Sequence, residues 1–504
     1  MQNQTLHKYI RMGIIALIFI LFCYFRLKPI YFQTVGFTYD QGRDFLKAAE
    51  IVLYKNPTFI GPTTGIDGIF HGAWWYYLLT LPFVLFKGLP IGFYYFSFFF
   101  HLASFVGLFF ILKKYFDLLT SFIITLLISV SGYFIFTSIF VGNNIMVLPF
   151  LLLFLIVNFL LLEKKTDKWF IFIFLGLSLG MVAEFEFAFG LFLVPSYFIL
   201  IPLFKNLRLQ LFKIPNGILF LSSLGIVFIP RMFFELKHNF SQTRTLINFL
   251  FKPKLYNPKP YIDVLKDRIM MFYGYYRSLF PNDFLFFAIT FFVVLSVLLV
   301  IMNKGKIYKN AIKFLLMLLL LLFLFSTLYK DNFWGNYYEG IQYIFIFVIA
   351  IFFAIIPRRE TAHNFFLFLK VVIFICLFFI GLNMFLPDIG KPVKEKDLVV
   401  QIQTVDYIHS IEKDSSAYCV KVYTPPVIPY TYDYLFLSKR IANNIPEPKK
   451  EFVNGSCWFI LEYDDFKERR EKWIRENIAH DAVRLQYKKF PNNTEVILYK
   501  NRTL

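Results

Sequence analysis

The sequence carries no GxxxxGK(S/T) loop, no GxGxxG turn, no HExxH pair and no Cys or His spacing suited to zinc. These absences exclude a nucleotide-cradling loop, a dinucleotide-binding turn and the common zinc hydrolase helix. Chemistry is left to carboxylates and cations, with room for a divalent cation. Cysteine is scarce, at four residues. Cys23 and Cys376 lie in apolar runs, where a thiol behaves as a small hydrophobe. Cys419 and Cys457 fall in a polar region and can pair if that region faces an oxidising space. No internal repeat is visible. Charge is scarce too, at 17% of 504 residues against 58% hydrophobic residues that include 70 Phe. That balance excludes an ordinary soluble domain and indicates a multi-pass α-helical membrane protein. The formal charge of +19 does not point to nucleic acid, because the basic residues sit in short clusters between apolar runs, where they orient a chain in a bilayer.

A spanning helix needs roughly 20 mainly apolar residues. By that measure spans fall near 12–31, 91–112, 118–137, 144–162, 168–183, 186–204, 214–233, 284–302, 311–328, 340–356 and 364–386, about eleven transmembrane helices. Lys8 and Arg11 precede the first, and Arg26, Lys28 and Pro29 follow it in place of a small-residue cleavage site, so it reads as a retained signal anchor. With the N-terminus cytoplasmic, the connections KKYFD (113–117), EKKTDK (163–168), KNLRLQLFK (205–213), NKGKIYKN (303–310) and PRRE (357–360) share the inner side, each short and basic. The longer connections 32–90 and 234–283, and everything after 387, then face outward. His71 to Pro90 is apolar but short, and counting it as a span would move the basic loops to the wrong side. It reads as an amphipathic or re-entrant helix at the outer interface, with Trp74, Trp75, Tyr76 and Tyr77 at headgroup depth. From about Asp388 the composition turns polar and mixed in charge. Residues 1–387 therefore read as a transmembrane domain with a first outer loop at 32–90. Residues 388–504 read as a small extracytoplasmic soluble α/β domain, with helices in 398–413, 432–442 and 464–477 and strands near 417–424, 457–463 and 483–500.

Several outward stretches can carry chemistry. In FTYDQGRDF, Asp40, Arg43, Asp44 and the following Lys47 stand at helical spacings of three and four, either as a self-neutralised solvated helix or as the mouth of a catalytic cavity. Glu184 and Glu186 sit at the outer end of an apolar hairpin with no basic residue nearby in sequence. A carboxylate at helix centre costs about 2.5–3.5 kcal/mol and less near the interface, so the pair calls for a polar cavity, a cation or a sugar hydroxyl, or else a turn at headgroup depth. Arg231, Lys237, His238 and Arg244 form an outward basic cluster suited either to a phosphate or to lipid headgroups. His71 is a phosphate donor or an interface residue. The stretches 270–283 and 329–340 suit carbohydrate or isoprenoid contact, or an aromatic belt.

Taken together, YDQGRDF after the first span, then HGAWWYYLL, then FELKHNF, resemble the GT-C class of polyprenyl-phosphate-sugar glycosyltransferases, in the group of protein O-mannosyltransferases and the lipid A aminoarabinose transferase. The resemblance covers residues 1–390 in layout and is motif-level at 37–90 and 230–245. It implies a cell-envelope, plasma-membrane transferase that moves a hexosyl or pentosyl group, with inversion, from a polyprenyl phosphate to an acceptor hydroxyl on a glycan, lipid or protein. The family's Asp-Glu pair corresponds here to Asp40 and Gln41, so the catalytic Asp is kept and the second acid is not; Asp44, one turn on, can substitute. Asp40 would be the general base, with Gln41 and Arg43 contacting substrate. Arg231, His238, Arg244 and His71 would stabilise the leaving phosphate, and Glu184 and Glu186 would line the sugar pocket. The family's Pro-Pro is replaced by Gly72-Ala73. A secondary transporter or lipid flippase using the same carboxylates is the alternative class, and a non-catalytic outer-face binding protein a third.

Overall fold

A computed structural model describes residues 2–251, 258–301, 305–306, 308–357, 360–395, 397–413 and 417–501. Arg358 and Arg359 of PRRE, with Asn303, Lys304 and Ile307 of NKGKIYKN, lie outside the described residues. Each of the eleven expected apolar runs contains a helix among its described residues. Helix α1 (Gln2–Tyr31) leads into a first loop that holds α2 (Tyr39–Leu53), an antiparallel hairpin of β1 (Ile60–Thr63) and β2 (Phe70–Gly72), and α3 (Trp74–Leu85). Next come α4 (Pro90–Tyr115), α5 (Leu118–Val130), α6 (Gly132–Ile139), α7 (Val147–Leu162), α8 (Phe170–Phe185), α9 (Phe187–Leu203), α10 (Lys205–Leu211) and α11 (Ile214–Lys237). The connection after α11 is itself helical, with α12 (Ser241–Phe251) and α13 (Tyr261–Arg277). The apolar part closes with α14 (Asp283–Ile301), β3 (Gly305–Lys306), α15 (Lys309–Thr327), α16 (Gln342–Phe353), β4 (Ile356–Pro357) and α17 (Glu360–Phe385).

Among the described residues six helices are long and apolar enough to cross a membrane, and eight crossings result if each of the bent pairs α5–α6 and α9–α10 is one. Helices α7, α8 and α16 have only 16, 16 and 12 residues, so a count of eleven depends on them too. The chain is built as an integral membrane protein. The 63° break between α5 and α6 has a physical partner. A broken helix leaves carbonyls without N–H donors, and apolar surroundings offer no water to replace them. Arg26, fully buried, donates from Nη2 to Ile128 O at 3.0 Å and from Nη1 to Ser129 O at 3.2 Å.

Connections 113–117, 163–168, 205–213 and 308–310 gather at one end of the bundle. Lys165 lies over the Tyr115 and Tyr308 rings, Glu163 accepts from the Ala311 N–H at 2.9 Å, and Asn206 donates to Leu162 O at 2.6 Å. Strand β3 pairs with β4, which brings the connection ahead of α17 to the same end.

The C-terminal region follows the expected order: α18 (Leu398–Ile411), β5 (Val420–Tyr423), α19 (Tyr430–Asn443), β6 (Ser456–Leu461), α20 (Lys467–Asn477), β7 (Val483–Lys489) and β8 (Glu495–Lys500). Its sheet runs β5-β6-β8-β7, parallel only between β5 and β6, and the Cys419–Cys457 disulfide ties the start of β5 to β6. This small domain docks on the back of α2. Gly42 touches the α19 backbone so closely that a Cβ there would lie 2.6 Å from the Thr431 nitrogen. Beside it, Phe45 stacks on Phe93 at 3.8 Å between ring centres and meets the edge of Tyr434, whose hydroxyl donates to Gly88 O at 2.8 Å.

Candidate functional site

Helix α2 begins with a capping box. The Thr38 N–H donates to Gln41 Oε1 at 2.8 Å and the Gln41 N–H donates to Thr38 Oγ1 at 3.5 Å, which satisfies two of the donors that a helix start leaves free. The T-x-x-Q spacing in TYDQ is the local signal for this start. It fixes Asp40 in the first turn, where a carboxylate also suits the helix dipole.

The next turn carries Arg43, which bridges two acids. Its Nη1 lies 2.8 Å from Asp40 Oδ1, and its Nε and Nη2 lie 2.9 and 2.8 Å from Asp44 Oδ1. Asp44 Oδ2 accepts from Trp75 Nε1–H at 2.7 Å. Burial pushes the Asp44 carboxyl up to about 6, opposed by Arg43 and by the Trp75 hydrogen bond. The Asp40 side chain is 49% exposed and the Asp44 side chain 4%. Half-exposed ion pairs contribute about 0–1 kcal/mol. Removing one partner of a buried pair costs about 3–5 kcal/mol. The two arms of Arg43 thus differ in strength.

Asp40, Gln41, Arg43 and Asp44 open onto a cavity of about 1080 Å³. The other walls come from residues 62–66 and His71 of the hairpin, 140–144 after α6, 186–192 at the start of α9, Phe249 and Leu250 of α12, and the 328–337 segment after α15. Every wall comes from a connection that the sequence places on the outer side, or from a helix end beside one. Leu191, Phe192, Phe249, Leu250, Leu328 and Phe333 make part of the lining apolar, while Asn143, Asn144, Glu186, Lys330 and Asn336 add polar groups. Among the described residues no group of three or more His, Cys, Asp and Glu side chains could hold a metal ion.

The cavity takes in six of the ten candidate residues. His71 Nδ1 accepts from the Phe187 N–H at 3.2 Å, which leaves Nε2 to carry the proton; burial and the nearby Arg231 and Arg43 push its pKa down to about 3, so the ring is neutral. Glu186 is buried at the cavity wall and caps α9 through the Ala188 N–H at 3.4 Å. Glu184, Arg231, His238 and Arg244 are not in the lining. Arg231 Nε donates to Glu184 Oε1 at 2.7 Å, and its Nη1 donates to Phe70 O at 3.0 Å and Gln242 Oε1 at 3.2 Å, joining α8, β2, α11 and α12. Gly72 is required there, because a side chain would run into the Glu184 carboxylate. His238 packs its tilted ring against Phe234 at the surface, and Arg244 donates to Asn239 O.

Trp75 and Tyr76 correct the expected headgroup belt. Both are buried behind the site, while Trp74 donates to Val227 O at 2.7 Å and Tyr77 to Thr58 O at 2.8 Å. Helix α3 is not amphipathic either, since Leu81, Val84 and Leu85 make its exposed side apolar as well. Stretch 329–340, which sequence also allowed as a belt, supplies Tyr329, Lys330, Phe333, Trp334, Asn336 and Tyr337 to the cavity. Sequence reasoning passed over 62–66, Asn143 and Asn144. Polar GNN between two apolar runs was the available signal.

No protein-family model matches the sequence, and no curated protein matches it. Solved structures do. ArnT from Cupriavidus metallidurans bound to undecaprenyl phosphate superposes with a TM-score of 0.52 at 8% identity, over 97% of each chain. The same protein in the apo state gives 0.54 at 8% identity, over 98% of each chain. The chain has the GT-C fold. On that GT-C frame the cavity-facing acids lie on α2, in the first loop after α1, and the sheet domain follows the last apolar helix.

Proposed function

We propose that this chain is a membrane glycosyltransferase that moves a hexosyl or pentosyl group from a polyprenyl phosphate to an acceptor hydroxyl at the outer face. The observation that carries the reading is a cavity whose lining combines a half-exposed Asp40 paired with Arg43 and a set of large apolar side chains. An isoprenoid tail suits the apolar part of the lining and a phosphate suits Arg43 and Lys330. The superposable ArnT structure bound to undecaprenyl phosphate supports the choice of donor. Asp40 acts as general base, taking the acceptor proton as the hydroxyl oxygen attacks the anomeric carbon with inversion. The neutral His71 supplies an N–H and Glu186 a hydroxyl acceptor within the same cavity. In this reading residues 1–387 form the catalytic membrane domain, the N-terminus is cytoplasmic, and residues 388–504 are extracytoplasmic. The sheet domain acts from behind, by holding α2, since among the described residues none beyond Tyr337 lines the cavity.

The test is direct: purified full-length protein is mixed with a panel of polyprenyl-phosphate hexoses and pentoses, and release or transfer of sugar is followed by mass spectrometry. Neither transfer nor hydrolysis from any member would sink the reading.

A further inference from the structure

Arg43 divides its guanidinium between two unlike acids. Nε and Nη2 are held by Asp44 Oδ1, and Asp44 Oδ2 is held in turn by the Trp75 indole N–H at 2.7 Å. That arm is buried and has both carboxylate oxygens occupied. The other arm, Nη1 to Asp40 Oδ1 at 2.8 Å, opens onto the cavity and is half-exposed. Water screens the second arm and not the first. An anion entering the cavity therefore competes with Asp40 for Nη1, while the anchor on Asp44 stays made.

Resting on the transferase reading, we propose that Asp44 and Trp75 are positioning residues that anchor Arg43, and that the donor phosphate draws Nη1 from Asp40, so that the Asp40 carboxylate is released only when the donor is seated. In the transfer step the acceptor oxygen bonds to the anomeric carbon and its proton passes to Asp40. The bond from that carbon to the phosphate oxygen breaks, and its electron pair stays on the phosphate. The donor phosphodiester carries one negative charge and the product phosphomonoester two. The added charge appears on the group that Arg43 already holds, in the same step in which Asp40 loses its own. Asp44 is not the base: its oxygens are taken and its side chain is buried.

The experiment measures the affinity of full-length protein, in detergent, for undecaprenyl phosphate, alongside sugar transfer. Arg43→Gln is expected to weaken binding about tenfold, the equivalent of losing roughly one charge-assisted hydrogen bond. Asp40→Asn is expected to bind undecaprenyl phosphate more tightly than the wild type while transferring nothing. That gain should vanish in the Asp40→Asn, Arg43→Gln double variant, because it acts through the shared guanidinium. Asp44→Asn and Trp75→Phe should weaken binding and add nothing to the Arg43→Gln loss. Gel filtration and thermal unfolding report folding, and Trp75→Phe keeps the ring if Asp44→Asn does not fold. A gain from Asp40→Asn that persists without Arg43 means plain charge repulsion and overturns the hand-off. Unchanged affinity in Trp75→Phe overturns the positioning role. Failure of wild-type protein to bind undecaprenyl phosphate at all removes the transferase reading, and this inference with it.

Discussion

Two carboxylate–arginine clusters lie near the β1–β2 hairpin, both built of acids and an arginine at the outer ends of apolar runs, although Glu184 and Arg231 stand 47 positions apart in the sequence. In the fold they part company. Glu184–Arg231 lies outside the cavity lining, with Glu184 fully buried, the Arg231 side chain 16% exposed, and Arg231 tying α11 to α8, β2 and α12. Asp40–Arg43–Asp44 is closed on one side only, and its Asp40 end meets the cavity. A pair whose acid is buried and whose arginine is tied to several elements holds geometry. A pair with one open end can exchange partners, and that is the property the proposed transferase site needs.

The sharpest way to break this comparison is at the open end. Asp40→Asn is expected to lower transfer by about 10²–10⁴, the usual range for a general base, with the thermal midpoint unchanged. Transfer at the wild-type rate by that variant would falsify the role of Asp40. At the Glu184–Arg231 pair the loss falls on stability instead. Arg231→Ala leaves an unpaired buried carboxylate and is expected to destabilise by about 3–5 kcal/mol, read as a lower thermal midpoint and poor yield. Replacing both partners, Glu184→Gln with Arg231→Gln, should recover most of that loss. If Arg231→Ala folds normally and only donor use suffers, the staple is the wrong description.

A third perturbation reaches the open cluster from behind. Gly42→Ala would push a methyl into the α19 backbone, and overpacking of this kind costs about 1–3 kcal/mol. Because α2 carries Asp40 and Arg43, transfer should fall with stability, and suppressors should map to α19. Normal transfer with a shifted thermal midpoint would show that the C-terminal domain does not hold the site.

Much of this was legible in the sequence. Composition and basic-loop spacing mark the apolar helices and the face on which the cavity lies, because hydrophobic length and charge bias are properties of a segment alone. FTYDQGRDF points to Asp40 and Arg43 for the same local reason, through helical spacing. What the sequence conceals is pairing across distance. Arg231 finds Glu184 from 47 positions away and Trp75 finds Asp44 from 31 away, and no window of residues contains either partnership. Arg231 and Trp75 thus read as a phosphate ligand and a belt residue, although both are internal partners of acids. Segment 328–337 became a cavity wall in the same way: buried Arg268 of α13 gathers the carbonyls of Ser326 at 3.1 Å, Tyr329 at 2.9 Å and Asp331 at 3.4 Å.

The smallest expected effect serves as the control for the whole comparison. Lys47 shares the helical spacing of Asp40, Arg43 and Asp44, yet it pairs with Glu50 at 2.7 Å, on a part of α2 outside the cavity lining, and both side chains are substantially exposed. A pair of that kind is worth about 0–1 kcal/mol. Lys47→Ala should therefore leave both transfer and the thermal midpoint within error. If it instead lowers undecaprenyl phosphate binding, charge anywhere along α2 suffices to draw the donor, and the distinction between an open cluster and an ordinary surface pair loses its force.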